Sequence, residues 1–84
     1  MTIYEIAKKA TTEQTAQQLR HREGNQYDCK ADMWQGHSRK WTLLDIVTAS
    51  VIVQIYEALK PDNQEKYMKL PLQKLIDVTW KLAS

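Results

Sequence analysis

Apolar residues recur at helical spacing along much of the chain, and this pattern predicts an all-α protein. The strongest stretch, residues 42–60, is apolar on almost every side and keeps one thin polar stripe at Ser50, Gln54 and Glu57. Pro61 follows it, and the residue before a proline is pushed out of helical geometry. We therefore predict a central apolar helix over about 42–60.

Shorter helices are predicted on both sides of this central helix. Thr2 and Glu5 form a capping-box pattern, in which each residue satisfies a backbone amide of the other, ahead of a narrow apolar face. Pro71 suits the first turn of a last amphipathic helix. Weaker patterns predict helices over 13–22, 27–34 and 62–68. We expect a small bundle of four to five helices that packs around the central helix.

Composition divides this predicted single domain, 1–84, into two unequal halves. Residues 1–41 are polar and hold a basic loop that contains tryptophan, whereas residues 42–84 form a hydrophobic helical core. The chain has 84 residues and one cysteine, so no intramolecular disulfide reinforces the small core. A second copy of the chain could cover the exposed side of the central helix. We favour a homodimer slightly over a monomer.

Charge and hydropathy limit where such a protein can act. The net charge is only +2, and all of the excess lies between residues 20 and 40. The longest uncharged apolar-rich run, 46–56, is too short to span a membrane. The N-terminus has no charged region followed by an apolar segment and a cleavage site. We expect a cytoplasmic protein with no membrane partner.

Candidate catalytic and metal-binding residues are few. His21, Cys29 and His37 are evenly spaced in the chain, and they could form an activated thiolate or a transition-metal site. We interpret them instead as a half-buried cysteine beside solvent-exposed histidines, because a nucleophile needs a base that a third group holds in a formed pocket. We predict no enzymatic activity, no cofactor and no metal.

The middle of the chain concentrates the residue types that dominate protein interfaces. Trp, Tyr and Arg are enriched among the residues that carry most of the binding energy at such interfaces. We predict that a protein partner binds through Arg20, Arg22, Tyr27, Trp34, Arg39, Lys40 and Trp41. The function predicted from this is a non-enzymatic regulatory protein of the adaptor or inhibitor type. We hypothesise a phage or mobile-element origin from the small size of the chain.

A DNA-binding transcriptional regulator is the alternative. Residues 2–10 resemble the first helix of the LacI-type repressor headpiece, and Gln14-Thr15 resembles the start of its recognition helix. Thr11 stands where that family has a glycine, and the spacing to Gln14 is one residue shorter, so we assign no family. The resemblance implies that residues 13–18 approach the major groove. The cations of the 20–40 segment could then contact phosphates.

Overall fold

A small antiparallel sheet interrupts the helices of this protein. A computed structural model describes residues 1–32 and 41–83. Along these residues the elements are α1 (Ile3–Glu13), β1 (Gln17–Glu23), β2 (Gln26–Ala31), β3 (Thr42–Leu44), α2 (Ile46–Ala58), α3 (Pro61–Met68) and α4 (Leu72–Ala83). The strands lie in the order β2-β1-β3, and each neighbouring pair is antiparallel. The described residues thus form an α+β fold, and the prediction of an all-α helical bundle is wrong.

A β-hairpin replaces the two weak helices predicted over 13–22 and 27–34. Gly24 adopts a φ of +57°, a left-handed conformation that costs glycine no steric strain, and the chain reverses there between β1 and β2. Gly24-Asn25 is itself a two-residue hairpin signal. The sequence of β1 does not show the alternation of apolar and polar residues that is typical of a strand. The reason is that two polar residues, Gln17 and His21, lie on the same side of β1 as the apolar Leu19. Residues 33–34 of the second predicted helix lie outside the described residues.

The central helix begins later than predicted. Residues 42–44 pair with β1 as strand β3, where Leu44 is buried, and Asp45 rather than Thr42 caps α2. Its Oδ1 accepts a hydrogen bond from the backbone amide of Thr48 at 2.6 Å. Strand pairing satisfies backbone groups of β1 that a longer helix would leave unpaired. Within the described part of the chain, no helix combines the length and the apolar character that crossing a membrane requires.

The capping box predicted at the N-terminus is confirmed. The Thr2 hydroxyl accepts from the Glu5 amide at 3.3 Å, and the Glu5 carboxylate accepts from the Thr2 amide at 2.9 Å. The hydrogen bond from the Thr2 amide, followed by the interaction of the Thr2 hydroxyl with the carboxylate, holds the pKa of Glu5 below its usual value. The apolar face that follows is buried as expected, and it consists of Ile3, Ile6, Ala7 and Ala10.

Helix α1 covers one side of α2. The apolar pattern of residues 42–60 predicts such a covering element, because that segment is apolar on almost every side. The ring of Tyr4 stacks on the ring of Tyr56 with centroids 3.9 Å apart, and its hydroxyl donates to the Glu57 carboxylate at 2.7 Å. Lys8 lies 3.5 Å from the same carboxylate. The Tyr4 hydrogen bond, helped by Lys8, lowers the pKa of Glu57. Val47, near the start of α2, remains 66% exposed.

Candidate functional site

The register of the strands separates the sheet into two chemically different faces. Leu19 pairs with Cys29 and with Thr42, and its buried side chain belongs to the core beneath the helices, on what we call the inner face. Side chains alternate along a strand, so the neighbouring positions of each strand point the opposite way. We define the outer face as Gln18, Arg20, Arg22, Asp28, Lys30, Trp41 and Leu43.

Trp41 lies between two cations on this outer face. The guanidinium carbon of Arg20 is 4.8 Å from the centroid of the indole ring, and the ammonium nitrogen of Lys30 is 4.4 Å from it. A cation over an aromatic face is attracted by the ring quadrupole, most strongly for tryptophan. Both cationic residues are exposed, while Trp41 is half-buried. The outer face therefore presents an aromatic ring with a positive rim.

Asp28 keeps the two arginines of the outer face in place. Its carboxylate accepts a hydrogen bond from the Arg20 guanidinium at 2.9 Å. The same carboxylate lies 3.6 Å from the Arg22 guanidinium. The hydrogen bond from Arg20, aided by the charge of Arg22, lowers the pKa of Asp28. Ion pairs this exposed contribute little to folding stability. Their consequence here is positional, because they hold the Arg20 side chain where it also reaches the Trp41 ring.

The structure brings only part of the predicted binding set together. Arg20, Arg22 and Trp41 share the outer face. Tyr27 instead lies on the inner face, 3% exposed, with its ring edge-on to His21 at 5.1 Å. The other three predicted residues, Trp34, Arg39 and Lys40, lie outside the described residues.

Four members of the outer face were absent from the predicted set, namely Gln18, Asp28, Lys30 and Leu43. Lys30 completes the rim around the tryptophan ring, and Leu43 adds an apolar side chain that is 44% exposed. The sequence contains a signal for Lys30. It lies two positions after Asp28, just as Arg22 lies two positions after Arg20. Charged residues that alternate in this way line one face of a strand.

The candidate reactive residues lie elsewhere in the fold. Cys29 is a half-buried free thiol on the inner face, and its Sγ donates weakly to the Met1 sulfur at 3.7 Å. The His21 Nε2 lies 2.8 Å from the Gly24 carbonyl oxygen, and His37 lies outside the described residues. Across residues 1–32 and 41–83, no three His, Cys, Asp or Glu side chains are grouped so that they could hold a metal ion.

Comparisons of the chain with protein-family models, with curated proteins and with solved structures find no match. Function is therefore inferred from the chemistry of the site. Its cations can form charge-assisted hydrogen bonds with a ligand, and its aromatic ring can bury apolar surface against the ligand.

Proposed function

We propose that this chain is a non-enzymatic regulatory protein, an adaptor or an inhibitor, whose partner protein docks on the outer face of the sheet. The observation that supports this is the Trp41 ring held between Arg20 and Lys30 on a solvent-facing side of the sheet. Tryptophan and arginine are the residue types that most often carry the affinity of an interface. A cytoplasmic location is part of the proposal, because a free cysteine suits a reducing compartment.

The proposal also specifies what the partner presents. Arg20, Arg22 and Lys30 are exposed cations on this side of the sheet, and Arg20 and Lys30 both lie over the Trp41 ring. A partner surface with carboxylates around an apolar contact would pair with the cations and would bury the Trp41 ring. The cations that rest on the ring then lose water, which strengthens their attraction to it. Trp41 is therefore the central anchor, and the cations steer association.

Site-directed photo-crosslinking tests the proposal in cells of the source organism. The photoreactive residue p-benzoylphenylalanine replaces Leu43, which is exposed on the outer face, and in a matched chain it replaces Lys74, which is exposed on α4. We expect a discrete protein adduct from position 43 that is absent from position 74. The same adducts from both positions would mean non-specific collision and would contradict the proposal.

Titration of the crosslinked partner with purified variants then measures each anchor. Trp41→Ala should weaken binding by about tenfold or more, the loss typical of an interface hot spot. Lys30→Gln should weaken it by about two- to fivefold, as expected for one partly exposed charge pair. Lys74→Gln makes the same charge change away from the outer face and should leave binding unchanged. Circular dichroism spectra identical to that of the unmodified chain would show that each variant is folded.

DNA binding is the alternative function that the sequence suggests, and it is measured on the same purified proteins. Residues 17–18, which the LacI-type resemblance assigns to a groove-reading segment, lie in strand β1 and are buried. Fluorescence anisotropy of a labelled generic duplex at low salt should show no binding. Binding that weakens steeply with added salt, and that Arg20→Gln and Arg22→Gln reduce, would instead assign the outer face to phosphates.

A further inference from the structure

A cleft of about 530 Å³ opens on the inner face of the sheet, on the side opposite the outer face. Leu19, His21 and Tyr27 belong to the hairpin side of this cleft, and Thr42 comes from β3. The facing wall is the connection between α3 and α4, Lys69–Leu72. Clefts of this size accommodate small organic ligands.

Local structure explains why the helices leave this part of the sheet uncovered. Helix α3 ends at Met68, and Pro71 separates it from α4, so the two helices cannot run on as one over the sheet. The chain turns here, and the Leu70 amide donates to the Tyr67 carbonyl oxygen at 3.3 Å. The backbone of Leu72 lies close enough to the Tyr27 hydroxyl to oppose the rise that burial causes in the pKa of Tyr27. The cleft is therefore framed by elements that are joined to each other.

The lining of the cleft combines apolar side chains with a lysine. Leu19, Leu70 and Leu72 supply aliphatic side chains, and the lining as a whole is mostly apolar. Lys69 supplies a cation, and among residues 1–32 and 41–83 its ion pair is an exposed one with Glu65 at 3.1 Å, one helical turn earlier. An exposed pair of this kind is weak, so a second anion can replace Glu65 at little cost.

We propose that this cleft binds a small amphipathic anion, a molecule with an apolar body and one carboxylate or sulfonate group. The apolar body lies against the half-buried side chains of Leu70 and Leu72, and the anionic group pairs with Lys69. Burial of the body removes apolar area from water, and the single cation selects the sign of the head group. This site is independent of the outer face, so either proposal can fail while the other stands.

Fluorescence titration with anilinonaphthalene sulfonate, an aromatic anion that brightens in apolar surroundings, tests the site. We expect saturable binding to the folded protein that decanoate displaces and that decyltrimethylammonium, which has the same chain and the opposite charge, does not. Equal displacement by both competitors would overturn the charge assignment. Amide chemical shifts should move around Gly24, Thr42 and Leu70, and shifts confined to other parts of the chain would overturn the location.

Three variants and one matched control variant separate the contributions of the cleft. Thr42→Trp should abolish binding, because Thr42 is exposed and a large side chain there would fill the cleft without removing a buried contact. Lys69→Gln should weaken binding by about two- to fivefold and Glu65→Gln should tighten it. Lys66→Gln, the same charge change on α3 outside the cleft, should do neither. Equal effects of the two lysine variants, or binding retained by a folded Thr42→Trp protein, would refute the proposal.

Discussion

Removal of the Thr79 hydroxyl would break the one polar link that the described core makes between α3 and α4. Tyr67 is 4% exposed and Thr79 is fully buried, and their hydroxyl groups are hydrogen-bonded to each other. The Thr79 hydroxyl also donates to the Leu75 carbonyl oxygen at 2.7 Å. A hydroxyl has only one hydrogen, so Tyr67 must be the donor and Thr79 the acceptor in the bond between them.

This direction of donation predicts unequal costs for the two single substitutions. Thr79→Val keeps the shape of the side chain and leaves the Tyr67 hydroxyl buried without an acceptor, which should cost about 1–3 kcal/mol. Tyr67→Phe leaves Thr79 bonded to Leu75 and should cost only about 0.5–1.5 kcal/mol. The double variant has no stranded hydroxyl. Its cost should fall below the sum of the two single costs by about 1 kcal/mol.

Urea unfolding followed by circular dichroism measures all four proteins of this double-mutant cycle. The slope of the free energy of unfolding against urea should stay constant, so that midpoints report stability alone. For a domain of this size each kcal/mol also moves the melting temperature by about 4–8 °C. Costs that add within about 0.5 kcal/mol, or a larger cost for Tyr67→Phe than for Thr79→Val, would refute the reasoning.

Two further predictions concern the titration of Tyr67 and the buried side chain of Gln17. Burial raises the pKa of Tyr67, so above about pH 10 the unfolded chain loses a proton that the folded chain keeps, and stability should fall as the pH rises. Urea midpoints at increasing alkaline pH should show this fall, and Tyr67→Phe should flatten it; an unchanged slope would contradict the assignment. Gln17 is fully buried, and its Oε1 finds no hydrogen-bond partner in residues 1–32 and 41–83. The Gln17 Nε2 donates to the Thr15 carbonyl oxygen at 3.2 Å, and loss of this bond offsets part of the gain. Gln17→Met should therefore stabilise the protein by at most about 1 kcal/mol in thermal melts, whereas Gln26→Met, at an exposed site of β2, should not stabilise it.

Elements with strong local signals were predictable from the sequence. The capping box of Thr2 and Glu5 marks the start of α1, and its hydrogen bonds join residues only three apart. Helix α4 follows Pro71 and has the amphipathic period that the sequence displays. Signals of this kind depend on neighbouring residues alone, so the rest of the fold does not have to be known.

The sheet could not be predicted in the same way. Gln17 and Gln18 have polar side chains and a sequence spacing that suits a solvated helix face, yet both are buried in β1. Gln17 shares the inner face with Leu19, and Gln18 lies on the opposite face, where its Nε2 donates to the Asp32 carboxylate at 2.7 Å. Residues 42–44 likewise have the apolar character of the helix that follows them, and only the free edge of β1 makes them a strand.

The candidate site was predictable in composition and unpredictable in arrangement. The concentration of cations and aromatic rings between residues 20 and 41 is visible in the sequence, and it led to Arg20, Arg22 and Trp41. The division of this segment into two faces requires the strand register. That register turns Tyr27 into the core and brings Lys30 to the Trp41 ring.

The sequence by itself determined the helices at both ends of the chain and the end of the central helix before Pro61. It also determined the segment, residues 20–41, that holds the cations and aromatic rings. For the hairpin of residues 17–31 the sequence offers only the turn signal at Gly24-Asn25. The tertiary structure decided the register of that hairpin, the addition of Thr42–Leu44 to it, and which side chains face solvent. The physical reason lies in the hydrogen bonds. Helical bonds join residues four apart, so a short window of sequence contains them, whereas strand bonds join β1 to residues more than twenty positions away.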